Sequence, residues 1–217
     1  MKISLRYQYA VALLSCALGG CATSRSVIDI PTPSISNASQ QSVGKDVFIN
    51  PPKDKRVFEA APASPSIPSL DSSENSSDSI KARAIARKRN TFGKALGDIL
   101  LPEGKTVESL TAASIRQAFQ EKGFRVLDDK SKVSESTYIV DTELNKFWSW
   151  MNPGFWAITL SAEVSTVLDI KSPLGTTRQT VAVKASDNFQ TGMEGNWTEV
   201  INKALKLYVD DLKDKLK

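Results

Sequence analysis

The chain has no histidine, and only two cysteines occur among its 217 residues. Without imidazole, Ser-His-Asp and Cys-His catalysis are excluded, and the scarcity of thiols argues against a zinc site of the usual Cys/His kind. Carboxylates remain as catalytic groups, but no spacing singles out a pair of them. We therefore predict a protein that is not an enzyme and that binds no metal.

The chain also has little excess of charge. Its 28 lysines and arginines against 24 acidic residues give a net charge of +4. Two of the bases, Lys2 and Arg6, lie in the N-terminal leader described next, so the rest of the chain has a side-chain charge of 26 − 24 = +2. A charge this balanced predicts no nucleic-acid partner.

The N-terminus has the three zones of a secretory signal peptide. Lys2 and Arg6 precede an apolar run over residues 9–18, and small residues follow up to Cys21. The run is about half of the ~20 residues that a transmembrane helix requires, so we predict a removable leader over residues 1–20. The residues around the predicted cleavage site are Leu18, Gly19, Gly20 and Cys21.

This cleavage site resembles the lipobox of bacterial lipoproteins. The resemblance implies that Cys21 receives a diacylglyceryl group, that the leader is cut before it, and that the new amino group is acylated; it implies no further cofactor. Ala22 in second place implies the outer membrane, with the body facing the periplasm, since aspartate there favours inner-membrane retention. Such an anchor is firm because each buried methylene contributes about 0.8 kcal/mol.

Residues 21–79 are predicted to form a flexible, disordered Ser/Pro-rich tether behind the anchor. Seven of the ten prolines fall between residues 31 and 68, and residues 59–79 contain few large apolar side chains. Such a segment cannot bury enough surface to offset the entropy lost on ordering. We predict one short edge strand within it, at residues 46–49.

A basic segment, predicted to be helical, follows over residues 80–99. Six lysines and arginines and no acid lie between positions 81 and 94. They form either a solvated helix face or a surface for anionic lipid headgroups, lipopolysaccharide phosphates or an acidic partner. The candidates for an anionic contact are Arg83, Arg87, Lys88 and Arg89.

Residues 100–217 have the apolar periodicity of a folded periplasmic domain. Apolar spacing predicts a helix that Thr106 caps and Gly123 ends. Alternation then predicts a long hairpin and a third strand between residues 137 and 185, and a capping box at Asn196 and Glu199 begins the last helix. The predicted fold is α+β: an antiparallel sheet of three to five strands with two helices packed on one face.

Aromatic side chains crowd the predicted hairpin between residues 147 and 156. We assign Trp156 to the core face of the second hairpin strand, but alternation cannot place all the others on that face. They form a small cluster beneath residues 92–100, a protein-binding anchor, or a contact with lipid at a membrane interface. The candidate contact residues are Trp148, Trp150, Met151 and Phe155.

Several stretches of the chain resemble the YajG-type periplasmic lipoproteins and, more distantly, the auxiliary lipoproteins of ABC-type lipid transport systems. These stretches are residues 47–50 with Asp54 and Arg56, the helix end at 120–126, the strands at 138–147 and 156–170, and the final helix from Asn196. The resemblance implies the helix-sheet-helix plan and the periplasmic location, but no particular activity.

Three functions remain open from the sequence. The leading hypothesis is a non-catalytic accessory or adaptor subunit of an envelope complex, whose partners are the bacterial membrane, through the lipid anchor, and an envelope protein. The alternative is a lipid-binding or lipid-transfer component of an ABC-type transport system, which requires a cavity between sheet and helices. A third is an enzyme that acts on the cell wall through carboxylates.

Overall fold

A computed structural model describes residues 25–34, 44–71, 73 and 77–216. The lipobox residues Leu18, Gly19, Gly20 and Cys21 lie outside the described residues. The described chain contains nine strands and three α-helices. In order they are β1 (Ser26–Val27), β2 (Asp46–Ile49), β3 (Lys53–Asp54), α1 (Asp78–Arg83), β4 (Ala84–Arg89), β5 (Ala95–Leu100), α2 (Val107–Glu121), β6 (Arg125–Leu127), β7 (Tyr138–Pro153), β8 (Ile158–Ser172), β9 (Gly175–Phe189) and α3 (Glu194–Lys215).

The sheet is organised around β7, which has 16 residues. One edge of β7 pairs antiparallel with β8, and β9 pairs antiparallel with β8 in turn. The other edge is shared by β2, β3 and β4, all parallel to β7. β6 lies beyond β2, while β5 and then β1 lie beyond β4. The α+β class is confirmed, but the sheet is mixed and larger than the predicted antiparallel sheet of three to five strands.

The strands that extend the sheet come from segments predicted to be tether or helix. β2 appears where residues 46–49 were assigned a strand, yet it lies between β6 and β7 and not at an edge. The helix predicted over residues 80–99 ends at Arg83, and β4 and β5 follow. Pairing with β7 overrides the weak helix propensity of that stretch.

Ile28, Ile30 and Leu70 are fully or almost fully buried, so residues 25–34 and 44–71 are not the mobile tether that the composition predicts.

The main core lies between one face of the sheet and helices α2 and α3, as predicted. Thr106 caps α2: its hydroxyl accepts from the Ser109 backbone N–H at 3.1 Å. The predicted capping box of α3 is wrong, because that helix begins at Glu194. Asn196 therefore lies inside the first turn, and its side chain donates to the Thr191 carbonyl at 2.7 Å.

One polar pair is enclosed in this core. The hydroxyls of Thr166 on β8 and Tyr208 on α3 lie 2.8 Å apart, and neither residue is exposed. Burial raises the pKa of Tyr208, only partly offset by the hydrogen bond to Thr166. An unfolded tyrosine ionises at pH ~10. The folded phenol stays protonated at that pH, so the free energy of unfolding falls as the pH rises above it.

Arg56 connects the N-terminal strands to the rest of the sheet. Its guanidinium is fully buried and pairs with Asp54, two residues earlier, at 2.8 Å. The same group donates to three backbone carbonyls, those of Lys81 at 2.5 Å, Ala84 at 2.6 Å and Phe147 at 3.1 Å. One side chain thereby holds together the segment after β3, the end of α1, the start of β4 and the middle of β7.

Replacing Arg56 should destabilise the fold strongly. Arg56→Met leaves the Asp54 carboxylate and three carbonyls without this donor, and breaking a buried pair from one side costs about 3–5 kcal/mol. Arg125→Met is the matched control, because its bridge to Asp46 is exposed and should matter little. Urea unfolding followed by circular dichroism measures both; equal effects would contradict the role given to Arg56.

The enclosed hydroxyl pair can be tested with a double-mutant cycle. Tyr208→Phe leaves the Thr166 hydroxyl unsatisfied and should lower the free energy of unfolding by about 1–3 kcal/mol. Adding Thr166→Val removes that orphaned group and should recover part of the loss. Additive losses in denaturant unfolding would show that the two hydroxyls are not coupled.

Candidate functional site

Three connections of the sheet come together at one end, which we call the loop end. β4 runs parallel to β7 with Ala86 opposite Ser149, so the turns at residues 90–94 and 154–157 both leave the sheet there. Phe189, the last residue of β9, lies opposite Ile158, the first of β8. The loop at residues 190–193, which leads into α3, therefore starts at the same end.

A groove of about 710 Å³ opens at the loop end, between β5, the β7–β8 hairpin and the start of α3. Ile99 and Trp197, each 1% exposed, form part of its floor. The walls include the partly buried side chains of Leu96, Met151 and Ile158. The volume falls within the ~300–1,000 Å³ typical of small-molecule pockets, and the lining is apolar as in most of them.

Polar groups also line the groove. The ammonium of Lys88 donates to the Ser26 hydroxyl at 3.2 Å, and Arg89 donates to the Gly93 carbonyl and the Ser69 hydroxyl, both at 2.9 Å. Burial, followed by the nearby charge of Arg87, lowers the pKa of Arg89, but a guanidinium remains a cation at neutral pH. One acid, Glu194, also lines the groove. Two cations above an apolar floor suit a ligand with a hydrocarbon part and an anionic group.

The four predicted anionic contacts thus divide into two pairs. Lys88 and Arg89 line the groove. Arg83 instead donates to the Leu101 carbonyl at 2.9 Å. Arg87 is 11% exposed in its side chain and lies 3.3 Å from the buried carboxylate of Asp98. These two arginines bind their own protein, so the basic segment does not present one continuous cationic surface.

The aromatic candidates divide in a similar way. Trp148 and Trp150 are only 1% and 5% exposed, which leaves them no surface for a partner. They form a second core cluster on the opposite face of the sheet from α2 and α3, together with Leu70, Ala84 and Leu100. The Trp148 indole donates to the Pro65 carbonyl at 3.1 Å. The segment around residues 58–70 covers them, where the sequence had suggested residues 92–100.

A bulge in β7 explains this placement. Leu144 lies opposite Thr166 and Lys146 opposite Ser165, so one residue, Asn145, is inserted between them. An inserted residue reverses the alternation of a strand. Leu144 therefore faces the main core, as does Phe147 beyond the bulge, and the two tryptophans face the other side.

The remaining aromatic residues of the hairpin are at its turn. Phe155 and Trp156 are 90% and 85% exposed, and their rings make an edge-to-face contact at 4.7 Å. The assignment of Trp156 to the core face of β8 is therefore wrong, because β8 begins two residues later, at Ile158. Of the four predicted contact residues, Phe155 is exposed and Met151 forms part of the groove wall.

Sequence reasoning did not find the groove. Its lining combines residues of β1, β4, β5, the β7–β8 hairpin and the start of α3. Trp197 is one of the buried residues of α3. Apolar periodicity identifies a buried face, but it contains no signal for a cleft between the ends of several elements.

The residues that the structure describes were also compared with the requirements of a metal site and of a membrane-spanning helix. Within them, no three acidic or thiol side chains cluster in a way that would hold a metal ion. None of the helices described is both long enough and apolar enough to cross a membrane.

Comparisons with known proteins identify no family. No family model matches the chain, and no curated protein matches it in sequence. Three solved structures are among those that align with the chain. An uncharacterized protein is 6% identical, with a TM-score of 0.48 over 90% of this chain and 99% of that one. Protein XCC0632 from Xanthomonas campestris, of family DUF330, is 12% identical, with a TM-score of 0.48 over 87% and 91%. Lipoprotein GNA1162 from Neisseria meningitidis is 7% identical, with a TM-score of 0.24 over 76% and 99%.

These neighbours include a bacterial lipoprotein, but the resemblance to YajG-type proteins is not confirmed.

The burial of the tryptophans can be tested by fluorescence quenching. Trp156 alone among the four has an exposed indole, so Trp156→Phe should remove most of the emission that iodide quenches. Trp150→Phe should leave that quenching in place. Unchanged quenching in the Trp156→Phe protein would contradict the placement of the hairpin turn.

Proposed function

We propose that this protein is a non-catalytic lipoprotein, held at the periplasmic face of the outer membrane through acylated Cys21, and that its groove binds an acyl chain of an anionic lipid. The observation that carries the lipid-binding function is the largely apolar groove that Lys88 and Arg89 also line. Such a protein fits the lipid-binding or lipid-transfer component of an ABC-type transport system.

The chemistry of the groove matches the two parts of a lipid. Each methylene transferred from water to an apolar site contributes about 0.8 kcal/mol, so a few carbons on the floor formed by Ile99 and Trp197 suffice for weak binding. A guanidinium has five N–H donors and an ammonium has three. The contacts described above for Arg89 and Lys88 use only some of them, which leaves donors for a phosphate.

The position of the groove limits which part of a lipid it can bind. Phe119, Leu110 and Tyr208 are fully buried between sheet and helices, so the cavity that the lipid-transfer hypothesis requires there is not found at that point. The lipid-binding function is therefore supported by the groove at the loop end and not by a cavity in the main core. The ligand therefore enters only at the loop end. We infer that the groove takes one end of an acyl chain while the rest of the lipid stays in a membrane or in a partner.

The adaptor function has less support. The lack of catalytic residues, the predicted tether and the aromatic residues of the hairpin favour it, but Trp148 and Trp150 are buried. Phe155 and Trp156 remain as exposed aromatic residues that a protein partner could contact, so a protein captured at the loop end would favour the adaptor.

Photo-crosslinking in living cells tests the lipid-binding function. A photoreactive residue replaces Met193, which is 68% exposed and lines the groove, in the full-length chain. We expect an adduct whose mass increase equals that of a phospholipid or lipopolysaccharide fragment. The control position is Leu174, which is 96% exposed in the turn at the opposite end of β8 and should capture none.

A second variant tests whether the captured lipid lies in the groove. Leu96→Glu places a charge on the groove wall and should reduce lipid capture at position 193 several-fold, whereas Leu174→Glu should not change it. Capture of a protein at position 193, or lipid capture that Leu96→Glu leaves intact, would overturn the proposal.

A further inference from the structure

We infer that the loop end is a membrane-docking surface: Phe92, Phe155 and Trp156 lie in the leaflet that holds the protein's own lipid anchor. This inference rests on the anchoring of Cys21 under the proposed function and goes beyond it. It assigns a role to three residues outside the groove and an orientation to the whole domain.

The first argument is where the exposed aromatic side chains are. Among the described residues, the aromatic side chains that are largely exposed are Phe92 at 93%, Phe155 at 90% and Trp156 at 85%. All three belong to the turns at residues 90–94 and 154–157, which leave the sheet at the loop end. Met193, 68% exposed, is in the third connection there. Tryptophan and other aromatic residues favour the interface between a bilayer and water.

The second argument is where the anchor is attached. β1 runs parallel to β5, with Ser26 opposite Ile99. Arg25 contacts Asp98 at 3.4 Å, one residue nearer to the turn at the loop end. The chain thus leaves β1 toward that turn in the N-terminal direction. Cys21 is four residues before Arg25, and four residues span at most ~14 Å.

The length of chain between Arg25 and Cys21 limits which end of the molecule can lie next to the anchor. Asp98 is four residues along β5 from Lys94 in the turn, which corresponds to about 13 Å at the rise of a strand. The opposite end of β8, at Ser172, is roughly 45 Å from Ile158 by the same rise. An anchor within about 14 Å of Arg25 therefore reaches the loop end but not the far end.

The third argument is the charge around the aromatic side chains. Lys88, Arg89 and the exposed Lys94 lie in or next to the turn at residues 90–94, and Glu194 is the acid at the start of α3. Basic residues next to membrane-inserting aromatic residues are attracted to anionic lipids. In this orientation the mouth of the groove opens toward the membrane, from which its lipid would enter.

Fluorescence from a single attached probe tests the docking. Because the diacylglyceryl group occupies the thiol of Cys21, an added cysteine is the one reactive thiol of the mature chain. Thr91→Cys, next to Phe92, and Thr176→Cys, in β9 next to the turn at the opposite end, are two exposed positions. Each full-length lipidated protein is labelled with a nitrobenzoxadiazole group and reconstituted into phosphatidylcholine–phosphatidylglycerol vesicles that contain spin-labelled quencher lipids.

We expect the probe at position 91 to be quenched several-fold more strongly than the probe at position 176. Replacing Phe155 and Trp156 together by serine should reduce the quenching at position 91 toward the value at position 176, without unfolding the domain, because these rings contact mainly each other and solvent. Leu174→Ser is the control substitution and should leave the quenching at position 91 unchanged.

Equal quenching at the two positions, or quenching at position 91 that survives loss of the aromatic pair, would overturn the docking. Lipid capture at Met193 in the same protein would still support the groove, so the two proposals fail separately. An intact mass that shows Cys21 without acyl groups would overturn the anchor and the docking together.

Discussion

The contacts of the buried Arg56 guanidinium join the N-terminal strands to the rest of the sheet, and the fold of this protein depends on them. It binds the Asp54 carboxylate and the carbonyls of Lys81, Ala84 and Phe147, which belong to β3, to the junction of α1 and β4, and to β7. A buried cation needs such a complete set of partners, because an unpaired one is very costly. This requirement places β4 beside β7 and holds the segment after β3 over the second core cluster.

The bulge at Asn145 is the second constraint, and it determines which aromatic residues are available for binding. A continuous alternation would have put Trp148 and Trp150 in the main core with Leu144. The inserted residue instead turns them to the other face, where they pack with Leu70, Ala84 and Leu100. The exposed aromatic residues of the hairpin are consequently those of its turn, and this moves the candidate site from the strands to the loop end.

Several features that a lipid-binding surface would need occur together at the loop end. An apolar groove, cations in its lining, exposed aromatic side chains in two turns and the N-terminal strand that leads back to Cys21 all occur there. Each feature alone has an ordinary explanation in packing or solubility. Their coincidence at one end favours a surface that contacts lipid, because a bilayer interface accepts apolar, aromatic and basic groups together.

The sequence by itself determined the features that depend on neighbouring residues. Apolar periodicity located α2, α3 and the strands β7 to β9, and the lack of histidine excluded whole classes of catalysis. The lipobox at Cys21 is likewise a local pattern, and it remains a prediction. Only the tertiary structure decided that residues 84–100 form strands, that short Pro-rich segments join the sheet in parallel, and that five elements meet around a groove. Those features depend on hydrogen bonds and contacts between residues far apart in the chain, which leave no periodic signal in the amino-acid sequence.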